Sequence, residues 1–371
     1  MASLATTVNG LQLPNPFIVA AGPPSANANM IAKAFDEGWG AVVCKTVTLE
    51  ASKIVSVTPR YARLQGRQSQ EIYGWENIEL ISDRDIRVWL EEFRQLKDRY
   101  PQRVLIGSIT EEYNQDRWIE IVERCQEAGV DALELNFSCP HGLTERNMGS
   151  ALGQEPAIVE EVCGWVNSVT KVPVWAKMTP NVTEILAPGR AALRGGCAGL
   201  SAINTVLCVM GVNLDTLRPE PAVGGYSTPG GYSGAAIRPI ALRMVMELAR
   251  MMRGEFAGRT LSGIGGIESG DDAAQFLLLG ADTVQVCTGI MRHGYGLVRM
   301  MCDELCGFMS RHHFNTIDDF KGYSLQFFTT YADLVRRQAT ARSEPCRDTV
   351  TRDDQWQGDE ITEQSERLAR D

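Results

Sequence analysis

A chain of 371 residues with 44% hydrophobic content can bury one large core, and its formal net charge of -10 with four scattered histidines offers no basic stripe to a nucleic-acid backbone. No apolar run approaches the roughly 18 residues that cross a bilayer, and MASLATTVNGLQLPNPF has no basic stretch followed by a long apolar one. A cytoplasmic protein is expected, with neither nucleic acid nor membrane as partner. The ten cysteines include no Cys-x-x-Cys pair, which points to reduced thiols and to no metal site, and Cys302 and Cys306 read as two cysteines on one helix face.

Short runs rich in Val, Ile and Ala recur along the chain: PFIVAAG (16–22), AVVCKTV (41–47), VLIGSIT (104–110), ALELNFS (132–138), VPVWAKMT (172–179), GLSAINT (199–205), TLSGIGGI (260–267) and TVQVCTGI (283–290). Between them lie stretches such as ANMIAKAFDEGW, DRWIEIVERCQEAG and IALRMVMELARMM, whose apolar residues follow a helical period. Near-continuous apolar strands alternating with helices make a parallel sheet covered on both faces, and eight such units predict a TIM (β/α)8 barrel over 1–325, with a doubly wound sheet as the alternative. Two connections, Leu49 to about Ser82 and Val206 to Ile237, are too long for this architecture's usual loops. They follow strands two and six at the end where barrels carry their chemistry, and so read as substrate lids. The remainder, 326–371, turns polar and acidic after about Ala339 and reads as a C-terminal tail that wraps a partner or stays mobile.

The strand ends are unusually polar: Cys44-Lys45-Thr46, Asn136-Phe137-Ser138-Cys139-Pro140, Lys177-Met178-Thr179 and Asn204-Thr205. A lysine in an apolar strand is costly unless an anion meets it. Lys45 and Lys177 therefore read either as core ion pairs, with Glu134 the candidate partner, or as charges aimed at a cofactor that becomes negative, as a reduced flavin does. Gly263-Ile264-Gly265-Gly266 and Cys287-Thr288-Gly289 end strands seven and eight, where backbone amides commonly hold a phosphate, here that of FMN; tight packing is the alternative. Neither a P-loop nor a Gly-x-Gly-x-x-Gly unit is present, so NAD(P)H has no binding domain in this chain. Cys139 leaves strand four ahead of His141 and the glycine-bearing GLTERNMGSALG. A thiol of ordinary pKa is protonated at neutral pH and can act as an acid toward a carbanion, unless Cys139 merely packs.

The strings LELNFSCPHGLTERNMGSALGQEP, VPVWAKMTPNVTEI, AINTV, GGYSGAAIRPIALR, SGIGGIESGDDAAQFLLLGADTVQVCTGI, GWENIELIS and LPNPFIVAAG together resemble the flavin domain of dihydropyrimidine dehydrogenases, from about Val8 to Phe308. The resemblance implies a flavin-dependent reduction of the 5,6 double bond of uracil or thymine, with hydride from FMN and a proton from Cys139. It implies further that Asn77, Asn136, Ser138, Asn204 and Thr205 meet the pyrimidine, with Glu79 and Ser233 close by. Ala21, Lys45, Thr46, Asn136, Lys177, Gly234, Gly265, Gly266, Cys287 and Thr288 would hold FMN. The bacterial relatives carry iron–sulfur clusters on closely spaced cysteines in a C-terminal segment, whereas this tail has only Cys346. No cluster in this chain is therefore expected, and electrons from NAD(P)H would arrive through a partner subunit, within a homo-oligomer. The alternatives are dihydroorotate oxidation by a related site and a non-catalytic flavoprotein that relays electrons.

Overall fold

The computed structural model describes residues 2–66, 71–140, 143–341 and 360–368, which divide into two units, Met1–Leu325 and Gln326–Asp371. In the first, eight parallel strands close into a barrel in sequence order: β1 (Phe17–Val19), β2 (Ala41–Val43), β3 (Val104–Ile109), β4 (Ala132–Asn136), β5 (Val174–Lys177), β6 (Gly199–Ala202), β7 (Thr260–Ile264) and β8 (Thr283–Val286). The circle closes where Val284, Gln285 and Val286 of β8 pair with Phe17, Ile18 and Val19 of β1. This is the TIM barrel that the eight apolar runs predict.

Each strand is followed by a helix on the outside: α1 (Ala28–Glu37), α2 (Ile86–Arg99), α3 (Gln115–Glu127), α4 (Pro156–Val169), α5 (Leu186–Arg194), α6 (Arg238–Glu255), α7 (Gly270–Leu278) and α8 (Leu297–Arg311). Several start at a side chain that satisfies an otherwise unpaired amide. Asn27 accepts from the Met30 N–H at 3.0 Å, Asn114 from Arg117 at 3.1 Å and Ser269 from Asp272 at 3.0 Å. Their apolar faces bury Phe35, Trp89, Phe93, Trp118, Val162, Leu248 and Phe276 against the outer wall of the barrel.

The two long connections are not independent flaps. Tyr61–Gln65 and Ile72–Asn77, from the loop after β2, and Val206–Cys208 and Gly230–Ser233, from the loop after β6, form one four-stranded antiparallel sheet at the C-terminal end of the barrel. Asn77 stands opposite Gly231 in that sheet, and Trp75 opposite Ser233. A loop reading misses this because the pairing that joins the two connections, Ile72–Asn77 with Gly230–Ser233, links distant parts of the chain.

The second unit, expected as a tail that wraps a partner or stays mobile, holds the helices Tyr331–Ala341 and Glu360–Leu368. Among the described residues no helix is long and apolar enough to cross a membrane.

Candidate active site

Where the barrel strands end, a cavity of about 340 Å³ opens beneath the lid sheet. Its wall includes Ala21 after β1, Lys45 and Thr46 after β2, Asn136 and Cys139 at β4, Lys177 at β5, and Asn204 and Thr205 after β6. Gly265 and Gly266 after β7 and Cys287 and Thr288 after β8 complete the ring, and the lid adds Asn77, Glu79, Ser233 and Gly234. Of the residues assigned to substrate or cofactor, Ser138 alone stands behind the wall, fully buried, and supports Asn136 and Asn204 from there.

The hydrogen bonds around Cys139 are continuous. Asn136 Oδ1 accepts from the backbone N–H of Ser138 at 3.1 Å and from its hydroxyl at 2.8 Å. Asn136 Nδ2 donates to Thr46 Oγ1 at 3.0 Å and to Cys139 Sγ at 3.1 Å. Ser138 Oγ in turn accepts from Asn204 Nδ2 at 2.9 Å. The glycines of GLTERNMGSALG pack on this segment: a methyl group at Gly149 would lie 2.8 Å from the Cys139 carbonyl oxygen, and one at Gly153 would lie 1.9 Å from that of Phe137. Burial pushes the half-buried Cys139 thiol above its ordinary pKa, while the Asn136 hydrogen bond and the charges of Lys177 and Lys45 pull it back. His141 lies outside the described residues.

Both lysines have carboxylate partners. Lys177, 4% exposed, faces Glu134 at 3.4 Å, and Glu134 Oε2 also accepts from Ser201 and Gln285, each at 2.7 Å. The ion-pair reading of Lys177 is therefore correct, and the same lysine also borders the cavity. Lys45 hydrogen-bonds Glu79, which also accepts from the Tyr61 hydroxyl and faces Arg60 at 3.4 Å. Burial and the Glu79 carboxylate push that hydroxyl well above its ordinary pKa. Tyr61 and Gln285 border the cavity without having been singled out in the sequence. A glutamine in the apolar run TVQVCTGI is the same signal that exposes Lys177; Tyr61 carried none.

The chain's residues fit FMN. Gly234, Gly265 and Gly266 adopt φ of 94°, 142° and 69°, where a side chain is strained. A methyl on Gly266 would lie 2.7 Å from the Gly234 carbonyl oxygen, and one on Gly265 2.6 Å from Ala241 Cβ. The missing side chains are thus required by close packing, and the same glycines border the cavity beside Thr288, whose hydroxyl meets Ser233 Oγ at 3.0 Å, a polar rim that suits a phosphate. Gly266→Ala is expected to bind FMN roughly five- to thirtyfold more weakly, since relieving the roughly 1–2 kcal/mol of strain that alanine meets at such a φ shifts the backbone at the cavity's rim. Flavin titration of the apoprotein measures this. Among the described residues no three His, Cys, Asp or Glu form a metal site, and Cys346 lies outside those residues.

The comparisons agree with this geometry. The family model for dihydroorotate dehydrogenase matches residues 3–309. The chain belongs to the dihydroorotate dehydrogenase family. Within that family it is 55% identical to the chloroplastic dihydropyrimidine dehydrogenase (NADP(+)) of Arabidopsis thaliana, over 98% of this chain and 87% of that one. It is 40% identical to the NAD-dependent dihydropyrimidine dehydrogenase subunit PreA of Escherichia coli, over 90% and 79%. Identity falls to 33% for the catalytic subunit of dihydroorotate dehydrogenase B of Pyrococcus abyssi, over 87% and 99%. A dihydroorotate dehydrogenase from Eimeria tenella, solved with ferulenol, shares the fold with a TM-score of 0.70 at 23% identity, covering 86% of this chain and 88% of that one. Members of this family are flavoproteins, and the chain is an oxidoreductase acting on CH–CH bonds.

Proposed function

We propose that this dihydropyrimidine dehydrogenase homologue reduces the 5,6 double bond of uracil or thymine, with Cys139 as the acid that protonates C5. The observation that carries this choice of ring is the state of the cations. Among the described residues, the basic ones bordering the cavity are Lys45, Lys177 and Arg292, and they are paired with Glu79, Glu134 and Glu268. A dihydroorotate carboxylate in the same place would need a cation of its own. A neutral ring needs only donors and acceptors, and the wall supplies these. Asn204 and Asn77 each spend an Nδ2–H on protein, toward Ser138 Oγ at 2.9 Å and the Gly231 carbonyl at 3.1 Å, and offer Oδ1 to the ring N–H groups. Thr205 adds a hydroxyl.

The chemistry supplied by bound FMN is hydride transfer to C6. Cys139 holds the proton for C5 on Sγ. The thiolate left behind keeps the Asn136 N–H and the field of Lys45 and Lys177 until solvent returns a proton. Electrons from NAD(P)H reach the flavin through a partner subunit in this proposal, in keeping with the E. coli relative being named a subunit of an NAD-dependent enzyme. The cytoplasm is the compartment we propose, although the Arabidopsis relative is chloroplastic by name.

Anaerobic addition of dihydrouracil or dihydroorotate to the oxidised yellow protein tests the reading through the reverse reaction. Dihydrouracil is expected to bleach the flavin at least about tenfold faster at equal concentration, the discrimination expected where one carboxylate would sit without a partner. The opposite preference would hand the site to dihydroorotate.

A further inference from the structure

Glu76 is a buried acid that the proposed chemistry does not use. It lies between Trp75 and Asn77 on the lid strand Ile72–Asn77, and since successive strand residues face opposite ways, Trp75 and Asn77 border the cavity while Glu76 turns from it. Its side chain is 1% exposed, and among the described residues no cation pairs with it. Burying an unpaired carboxylate is costly, and a leucine there would avoid the cost. What the carboxylate does instead is hold the other lid loop. Glu76 Oε2 accepts the backbone N–H of Met210 at 2.6 Å, and its Cγ and Oε1 press on Gly230, where a methyl group would come within 2.7 Å of both. Burial raises its pKa, and the backbone donors Met210 and Gly230 oppose that.

The next residue pair carries this grip to the site. Gly231 stands opposite Asn77, accepts its Nδ2–H at 3.1 Å, and leaves so little room beneath that a methyl group on it would lie 2.1 Å from Thr205 Oγ1. The Gly230–Gly231 segment is thus gripped by Glu76 on one side and seated on Thr205 on the other, so a shift of that segment moves Asn77 and Thr205 together. We infer that Glu76 is a positioning residue for substrate: by fastening the loop after β6 to the strand that carries Asn77, it fixes the two lid-side groups that meet the pyrimidine. The inference rests on Asn77 and Thr205 binding that ring.

Glu76→Leu keeps the bulk and removes the acceptor, and Glu76→Gln keeps an acceptor oxygen. The Leu variant is expected to show a KM for uracil raised about tenfold, in line with losing a hydrogen bond to a charged group, with kcat and flavin content close to wild type. Gln should restore most of the affinity. Independently of any substrate, amide hydrogen exchange should quicken across 206–233 in Leu and much less in Gln, with the barrel strands unchanged. An unchanged KM together with unchanged exchange in Leu would overturn the inference. So would loss of flavin and melting temperature in both variants, which would mark Glu76 as general support of the fold. Failure of the pyrimidine reading would appear differently, as a wild type inactive toward uracil whose lid exchange still responds to Glu76→Leu.

Discussion

Cys139→Ala is expected to retain FMN, fold and melting temperature and to lose roughly 10²- to 10⁴-fold in the rate of uracil reduction, the usual contribution of a positioned general acid. The site supports that separation. Among the described residues, Cys139 Sγ receives one hydrogen bond, from Asn136 Nδ2 at 3.1 Å, and Asn136 keeps Thr46 and Ser138 without it. The thiol therefore leaves without unravelling the network. Cys139→Ser should also be slow, because a hydroxyl is a much weaker acid. The pH profile follows from the thiol's raised pKa. An acid must carry its proton, so activity should stay level on the neutral side and fall only as pH rises through that raised value, and the alkaline limb should change in the Ser variant. If Cys139 only packs, alanine would cost stability through a small cavity and leave kcat nearly unchanged.

Lys177→Met should strike stability and flavin binding together. Its ammonium is the cation facing Glu134, whose side chain is 0% exposed, and removing one partner of a buried ion pair leaves an uncompensated charge that typically costs about 3–5 kcal/mol. In a chain of this size, with an unfolding entropy of about 2.1 cal/mol/K per residue, that is a fall in melting temperature of roughly 4–7 °C. The double variant Lys177→Met with Glu134→Gln should regain most of the stability, because Gln can still accept from Ser201 and Gln285. It should remain poor at holding FMN if Lys177 serves the flavin. Thermal melts and flavin titration on the two variants separate the structural from the cofactor role. A double variant that binds FMN like wild type would leave Lys177 with the ion pair alone.

The barrel was legible because its strands are buried on both faces and so read as unbroken apolar runs. The runs overshoot: 172–179 was read where only Val174–Lys177 is strand, since Met178 and Thr179 stay fully buried after the sheet has ended and burial is what a run of apolar residues reports. Lys45, Lys177 and Asn136 were visible as polar residues at apolar strand ends. The lid sheet was not, because Ile72–Asn77 joins the local hairpin with Tyr61–Gln65 to the distant, glycine-bearing Gly230–Ser233, and a pairing that distant leaves no local pattern. Tyr61 was lost with it. The helix Tyr331–Ala341 was hidden in a segment read by composition alone.

The most direct test of the central claim is single-turnover reoxidation. The purified protein, reduced anaerobically, is mixed with uracil, and the return of the flavin absorbance is followed alongside the formation of dihydrouracil. The account predicts one dihydrouracil per flavin reoxidised in the wild type and a rate lower by at least about 10²-fold in Cys139→Ala with its flavin intact. Reoxidation at the wild-type rate in that variant, or a reduced flavin that uracil leaves untouched in the wild type, would contradict it.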